Sequence, residues 1–456
     1  MRKQTSGPRF FKAKKKLAST RKIELHIHDL SDDGAGVAKD NGKTVFVAGA
    51  LPGENIIAEI VESKKRYDKG LLKKILERSA DRVLPFCEHY NYCGGCHLQH
   101  LEYSRQVEAK NKQLQQLLLP LVNINTGTPE WFAPIVSNDG HDRHYRQRIK
   151  LSVNLEKGRL ALGYMSRNSH SVVDIDQCPI AAMPLSSLIL PLKHIFSSCR
   201  QPYVFQSALI SVDENNNLGL LLQVKKRLLA EDVQILETFA QQYRLSLMFV
   251  IQAKGLNSEP EVLGISGTQL MNYSLAGFNV NFCYDIQDFT QVNAKINALM
   301  LARANNWLAL KAEDTLADFF CGIGNISLPL AKQVASVNGY ELSNSMVKKA
   351  SDNAKLNHIN NTNFFCKDLF EGEVFYLDGL NKAILDPPRA GANHLCQHIA
   401  PSKIEKVLYV SCNPRTLVRD AEHLLAGGYR ITKVCLVDMF PHTHHLEAMV
   451  LFERSI

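Results

Sequence analysis

The chain has 456 residues, of which 45% are hydrophobic and 21% charged, and its formal net charge is +8. That length exceeds one hydrophobic core and implies about three domains. The composition excludes a disordered chain, and no apolar run reaches the roughly 18–20 residues needed to span a bilayer.

The basic N-terminus lacks the apolar stretch of a secretory signal. Eleven cysteines spread over the chain fit a reducing cytoplasm better than a disulfide framework. Residues 2–22 hold nine Lys or Arg and no acid. A flexible arm over 1–22 suits a polyanionic partner, with a solubilising tail as the plainer alternative. Residues 23–79 read as five short strands. Gly34, Gly36, Asn41–Gly42 and Pro52–Gly53 supply their turns, which implies an OB-like β-barrel. Lys64, Lys65, Arg66 and Lys69 surround Tyr67, a mixture suited to phosphate contact and base stacking, or to a solvated hairpin.

Residues 80–285 read as a central mixed α/β domain. It opens with a loop spaced Cys87-x5-Cys93-x2-Cys96, and Cys178 offers a fourth thiolate. Four such groups hold zinc or an iron–sulfur cluster, and spacing does not choose between them. A helix is predicted over 101–119, packing on the C-terminal domain, and a hairpin around 213–217.

Residues 286–456 begin with a predicted helix over 291–307. Five strands then alternate with helix-compatible runs: "TLADFF", "SVNGYEL", "NFFCKDL", "KAILDPP" and "KVLYVSC". That pattern is a doubly wound parallel sheet, so the whole chain reads as multidomain α/β. "DFFCGIGN" places Gly322 and Gly324 after the first strand, and Glu341 lies 17 residues past Gly324. A carboxylate there can accept hydrogen bonds from two ribose hydroxyls. Asp368 closes the third strand, where an adenine amino group can be met, Asp386 the fourth and Cys412 the fifth. The loop lacks the third glycine and the lysine of a phosphate cradle, so an adenosyl ligand without pyrophosphate fits: S-adenosyl-L-methionine.

Asn413 can cap a helix and Pro414 can start it, which predicts a Cys412 thiolate favoured by the helix dipole. Cys199, Cys283, Cys366, Cys396 and Cys435 read as buried structural residues, and Cys321 as pocket lining. A thiolate beside a methyl donor points to uracil. Sulfur addition at carbon 6 makes carbon 5 nucleophilic, and a base must then remove the carbon-5 proton. Glu447 in "DMFPHTHHLE" is the candidate base. His442, His444 and His445 with Glu447 offer a metal site as the alternative, although their spacing suits tetrahedral coordination poorly.

Together "DFFCGIGN", "LDPPRAGA", "VSCNPRTL" and "DMFPHTHHLE" resemble the RNA (uracil-5-)-methyltransferase family. The resemblance implies a Rossmann-like class I methyltransferase domain with Cys412 as nucleophile and Glu447 as proton acceptor. It also implies donor contacts from Gln291, Phe320, Asn325, Glu341, Asp368 and Asp386. Arg415 and His444 stand where smaller residues are common. "GAGVAK", "VFVAGALPGE" and "KKRYDKG" resemble a TRAM domain. The branch combining TRAM with cysteines in this pattern carries a 4Fe–4S cluster on Cys87, Cys93, Cys96 and Cys178, and acts on 23S ribosomal RNA. The cluster is then expected to staple loops presenting RNA-binding residues, among them Arg143, Tyr145, Arg146, Arg148 and Lys150. The resemblance implies a cytoplasmic enzyme with an RNA partner and no membrane. Another 23S site or a tRNA is the alternative target. A radical methylthiotransferase needs C-x3-C-x2-C, which is absent, and a non-catalytic assembly factor would not need Cys412 and Glu447.

Overall fold

The computed structural model describes residues 21–124, 127–137, 142–167, 171–251, 261–267, 270–370 and 377–454. Of the predicted basic arm only Arg21 and Lys22 fall within them. The chain forms two compact units, Met1–Leu84 with His100–Glu102, and Pro85–Gln99 with Tyr103–Ile456.

In the first unit, alternating apolar and polar residues build a six-stranded sheet. Its spatial order is Arg21–His26, Asn55–Ser63, Tyr67–Glu77, Lys43–Ala48, Ala35–Asp40 and Asp29–Leu30. The two-residue strand Asp29–Leu30 is one more than the five expected. Inward residues such as Leu25, Ile27, Val45, Val47, Ile56 and Ile60 form a separate core. Glu54 is fully buried; it accepts from the Leu51 amide at 2.9 Å and from Arg82 Nη2 at 2.8 Å, as a buried charge must.

The second unit holds two large sheets. The central one has seven strands, ordered Val172–Asp174, Arg159–Met165, Arg148–Glu156, Phe205–Val212, Leu218–Val224, Leu245–Ile251 and Glu261–Ser266. Its only parallel pair, Leu218–Val224 with Leu245–Ile251, is joined through the helix Ala230–Gln242, the crossover that parallel pairing requires. The expected hairpin at 213–217 joins Phe205–Val212 to Leu218–Val224.

The C-terminal sheet has eight strands: Thr362–Cys366, Ser336–Glu341, Thr315–Phe319, Lys382–Leu385, Lys406–Ser411, Glu447–Arg454, Tyr429–Val437 and Glu130–Trp131. The first five are parallel, as the alternating pattern predicts, and Glu447–Arg454 runs antiparallel to both neighbours. Lys406–Ser411 is buried from its second residue onward, because helices cover both faces of the sheet. Successive strands leave Thr315–Phe319 in opposite directions, and the switch point opens a crevice at their carboxyl ends. A two-stranded hairpin, Leu270–Leu275 with Val280–Asp285, packs Met271, Val280 and Phe282 into the same core.

Two helices differ from expectation at their ends. The helix predicted over 101–119 spans Tyr103–Ile124 and continues past Pro120, burying Leu114, Leu118 and Leu121 against the C-terminal sheet. The one predicted over 291–307 is Ala294–Leu308, starting where the Asn293 side chain accepts the Ile296 amide. Gln291 therefore stands in the preceding loop.

Candidate active site

At the switch point lies a cavity of about 500 Å3. Cys412, Glu447, Gln291, Phe320, Asn325, Glu341 and Asp386 all line it, as does Cys321. Asp368 does not. The third strand ends at Cys366, and the Asp368 carboxylate accepts the Phe370 amide at 2.8 Å, placing Phe370 in the wall instead.

The loop after Thr315–Phe319 is shaped by its backbone. Phe320 has φ +66°, rare for a side chain of its size, and the amides of Phe320 and Cys321 both donate to the Tyr340 carbonyl, at 2.9 and 3.1 Å. Gly324 has φ +91°, and a Cβ there would come within 3.0 Å of Leu328. Glu341 accepts the Gly322 amide at 3.2 Å through one oxygen and the Ser343 amide at 3.0 Å through the other. Asn325 is fixed by reciprocal 3.0 Å bonds with Asn297 and by the Tyr273 hydroxyl at 3.0 Å.

The reactive end is crowded with raised carboxyls. Burial and the nearby Asp386 push Glu447 up to about 8, and its Oε2 is buried with no hydrogen-bond partner. Burial pushes Asp386 up to about 7. Asp318 is also raised to about 7 by burial, against the opposing Ser327 hydroxyl bond. The Cys412 thiol is pushed up to about 11, chiefly by burial and then by Glu447 and Asp386, with Arg389 opposing. In the empty cavity these groups oppose the expected thiolate. The helix Pro414–Ala426 does start after Cys412, but two carboxyls and desolvation outweigh its dipole. Asn413 occupies the N-cap position without capping; its amide donates instead to the Arg389 carbonyl at 2.9 Å.

That bond is one of several joining "DPPRAGA" to the helix. Arg419 donates to the Ala390 carbonyl at 2.9 Å, and buried Asp420 accepts the Ala392 amide at 2.5 Å and the Tyr409 hydroxyl at 2.7 Å. Gly391 has φ +79°, and a Cβ there would lie 2.5 Å from Asp420 Oδ2. Arg389 reaches into the cavity and donates to a His445 ring nitrogen at 3.2 Å. Burial, then His444 and Arg389, lower His445 to about 4, so the ring is neutral and able to accept. Arg389, Asp318, Tyr273 and the exposed Phe289 were not singled out from sequence, although Arg389 and Asp318 sit inside the quoted motifs, and His445 was considered only as a metal ligand.

The three histidines diverge. Only His445 shares the cavity with Glu447. His442 is buried elsewhere, its Nε2 2.8 Å from Asp142 and its Nδ1 3.2 Å from the Gln106 amide. His444 packs edge-on against His97 at 4.2 Å between ring centroids. Among the described residues no group of three or more His, Cys, Asp or Glu is placed to hold a single metal ion.

Cys87, Cys93, Cys96 and Cys178 nonetheless surround one small cavity. All four are free thiols. Burial raises Cys93 to about 11 and Cys96 to about 12, and the Gly95 amide donates to the Cys93 sulfur at 3.4 Å. Four thiols around one small cavity, one of them accepting an amide, have the donor chemistry that a zinc ion or a cluster takes. The run at 143–150 is mixed, with Arg143 and Lys150 exposed and Arg146 and Arg148 half-buried. Tyr145 is buried, Arg143 stacks on Phe86 at 4.0 Å, and Arg148 donates to the carbonyls of Gln287 and Asp288. Of the cysteines read as structural, Cys366 is exposed and Cys283 half-buried, since both lie on edge strands.

Known proteins show the family and the fold. A relative from Shewanella amazonensis, described as 23S rRNA (uracil(1939)-C(5))-methyltransferase RlmD, is 40% identical, covering 97% of this chain and 99% of its own. One from Vibrio vulnificus with the same description is 38% identical over 98% and 100%. The fold matches Pyrococcus abyssi tRNA (uracil-54, C5)-methyltransferase in complex with S-adenosyl-L-homocysteine, with a TM-score of 0.74 at 24% identity, covering 94% of this chain and all of that one. A TRAM domain matches residues 20–73. The sequence model of the tRNA (uracil-5-)-methyltransferase family matches residues 102–368 and 376–455, and the chain belongs to that family.

Proposed function

We propose that the protein methylates carbon 5 of a uridine in 23S ribosomal RNA. The observation that carries this reading is one cavity shared by Cys412, a buried Glu447 with an unpartnered oxygen, and the ends of the donor-site strands. The near full-length relatives support the ribosomal target.

When bound, S-adenosyl-L-methionine supplies an electrophilic methyl group. Gln291, Phe320, Asn325, Glu341 and Asp386 hold it, and Asp368 acts through Phe370. Cys412 gives up its proton to the carboxylate form of a neighbouring acid, and its sulfur adds to carbon 6 of uracil. The displaced electron pair makes carbon 5 the nucleophile for the methyl. Glu447 as carboxylate then removes the carbon-5 proton, the ring double bond re-forms and the carbon–sulfur bond breaks. Carbon 6 is reachable only in an unstacked base, so the target is a loop or flipped uridine.

Cys87, Cys93, Cys96 and Cys178 are the ligands of a 4Fe–4S cluster in this reading, a choice over zinc that rests on the family resemblance. The division at 22, 79 and 285 into arm, barrel, central domain and methyltransferase domain belongs to the same proposal. So does a cytoplasmic location, consistent with the free cysteines; among the described residues no helix is long and apolar enough to cross a membrane.

The test uses ribosomal RNA carrying 5-fluorouridine, whose carbon-5 fluorine blocks proton removal. Wild type should form a mass-shifted covalent adduct. Cys412→Ala should form none while keeping its affinity for S-adenosyl-L-homocysteine; an adduct persisting in that variant refutes the assignment. Mapping 5-methyluridine in a deletion strain should show loss from 23S rRNA, whereas loss from tRNA would move the target there.

A further inference from the structure

Glu447 begins its strand, paired with Val437, so the loop 438–446 sets how the carboxyl enters the cavity. That loop is gripped from outside the cavity. Lys110 Nζ, itself buried, lies 2.6 Å from Asp438 and 3.2 Å from the Phe440 carbonyl. The Tyr145 hydroxyl donates to the Pro441 carbonyl at 3.2 Å. His442 is held on every side: its carbonyl accepts the His97 and Leu98 amides at 2.9 and 3.0 Å, and its amide donates to Gln106 Oε1 at 3.1 Å. Gln106 also meets its ring.

His442 has φ +64°. A non-glycine residue keeps that conformation only where its surroundings enforce it. Of the enforcing groups, His97 directly follows Cys96, so one peptide bond and one hydrogen bond join the four-cysteine site to His442.

We propose that Gln106 and the 96–98 segment are positioning elements for Glu447, through which filling of the four-cysteine site governs removal of the carbon-5 proton. The proposal rests on Glu447 being the proton acceptor. Neither Gln106 nor His97 lines the cavity; both act through the backbone at His442. A free His442 relaxes toward ordinary φ, and Glu447, five residues on, loses its fixed approach.

The experiment uses the full-length, iron-loaded protein. Gln106→Leu removes both bonds to His442 with little change in volume. It should raise the acid-quenched Cys412–uridine adduct about tenfold, the size expected for removing one or two hydrogen bonds, while affinity for S-adenosyl-L-homocysteine stays unchanged. Gln106→Glu, which keeps the acceptor for the His442 amide, should rescue in part. Separately, oxidising and chelating iron out of the wild type should speed amide exchange across 438–447 but not across 406–411. That arm decides the matter if Gln106→Leu does not fold. Unchanged exchange after iron removal, or wild-type adduct levels in folded Gln106→Leu, overturns the proposal. Glu447→Gln is run alongside: if it fails to accumulate adduct, the reading of Glu447 falls, and the exchange measurement still reports on the positioning by itself.

Discussion

Cys412, Glu447 and Asp386 line one largely apolar cavity, where burial favours the neutral form of each. A sulfonium brings positive charge into that cavity, which favours the carboxylates. Both acids have folded values above their unfolded ones, so their neutral forms stabilise the empty protein below the usual carboxylate range, and that contribution is lost as pH rises through about 7 to 8. The donor should reverse the trend. Affinity for S-adenosylmethionine relative to S-adenosylhomocysteine, which lacks the charge, should therefore grow between about pH 6 and 8.5. Calorimetry at several pH values checks this, and a flat ratio would show that neither carboxyl faces the sulfur. A Cys412 held as thiol also avoids adventitious alkylation until a base removes its proton.

The helix Pro414–Ala426 and the loop "DPPRAGA" work as one piece, because Asp420, Arg419 and Asn413 all turn toward the loop. This use of Asn413 explains why the residue stands at the N-cap without capping: its amide is worth more holding Arg389 in place. Gly391 is where that piece is tightest. Gly391→Ala adds a Cβ against Asp420 in a left-handed conformation and should cost about 1–3 kcal/mol. A lower melting temperature and weaker S-adenosylhomocysteine binding, through displaced Arg389 and Asp386, are the expected readouts. Wild-type values for both would show slack in the loop. The same economy holds at the hairpin end, where the loop 438–446 is fixed by side chains from the helix Tyr103–Ile124.

For the whole molecule, the net charge of +8 should appear as salt-dependent RNA affinity. The basic turn of the N-terminal sheet is not uniform, since Lys64 and Lys69 both face Glu62, at 3.1 and 3.9 Å. Lys65→Glu with Arg66→Glu should thus weaken RNA binding more than the same change at Lys64 and Lys69. It should also reduce the slope of log affinity against log salt by about one for each phosphate that is no longer neutralised. Filter binding over a salt series measures this, and an unchanged slope would remove the turn from the RNA interface. Burial of Tyr145 and the bonds of half-buried Arg148 to the carbonyls of Gln287 and Asp288 turn these two residues of the run 143–150 to internal support, while Arg143 and Lys150 stay exposed.

The sequence by itself determined what is local. Strand–helix alternation specified the parallel sheet, since period and turn chemistry act over a few residues, and Glu341, Asp386 and Cys412, though not Asp368, line one cavity because parallel strands share one carboxyl edge. Four spaced cysteines could be seen to belong together, as could a thiol and a carboxyl bracketing uracil chemistry. Tertiary structure decided what depends on neighbours distant in the chain. Gln106 meets His442 across 336 positions, and no periodicity marks such a pair. The groups that oppose a Cys412 thiolate were likewise hidden, because a helix start is visible in sequence whereas desolvation and two nearby carboxyls arise only once the strands are assembled.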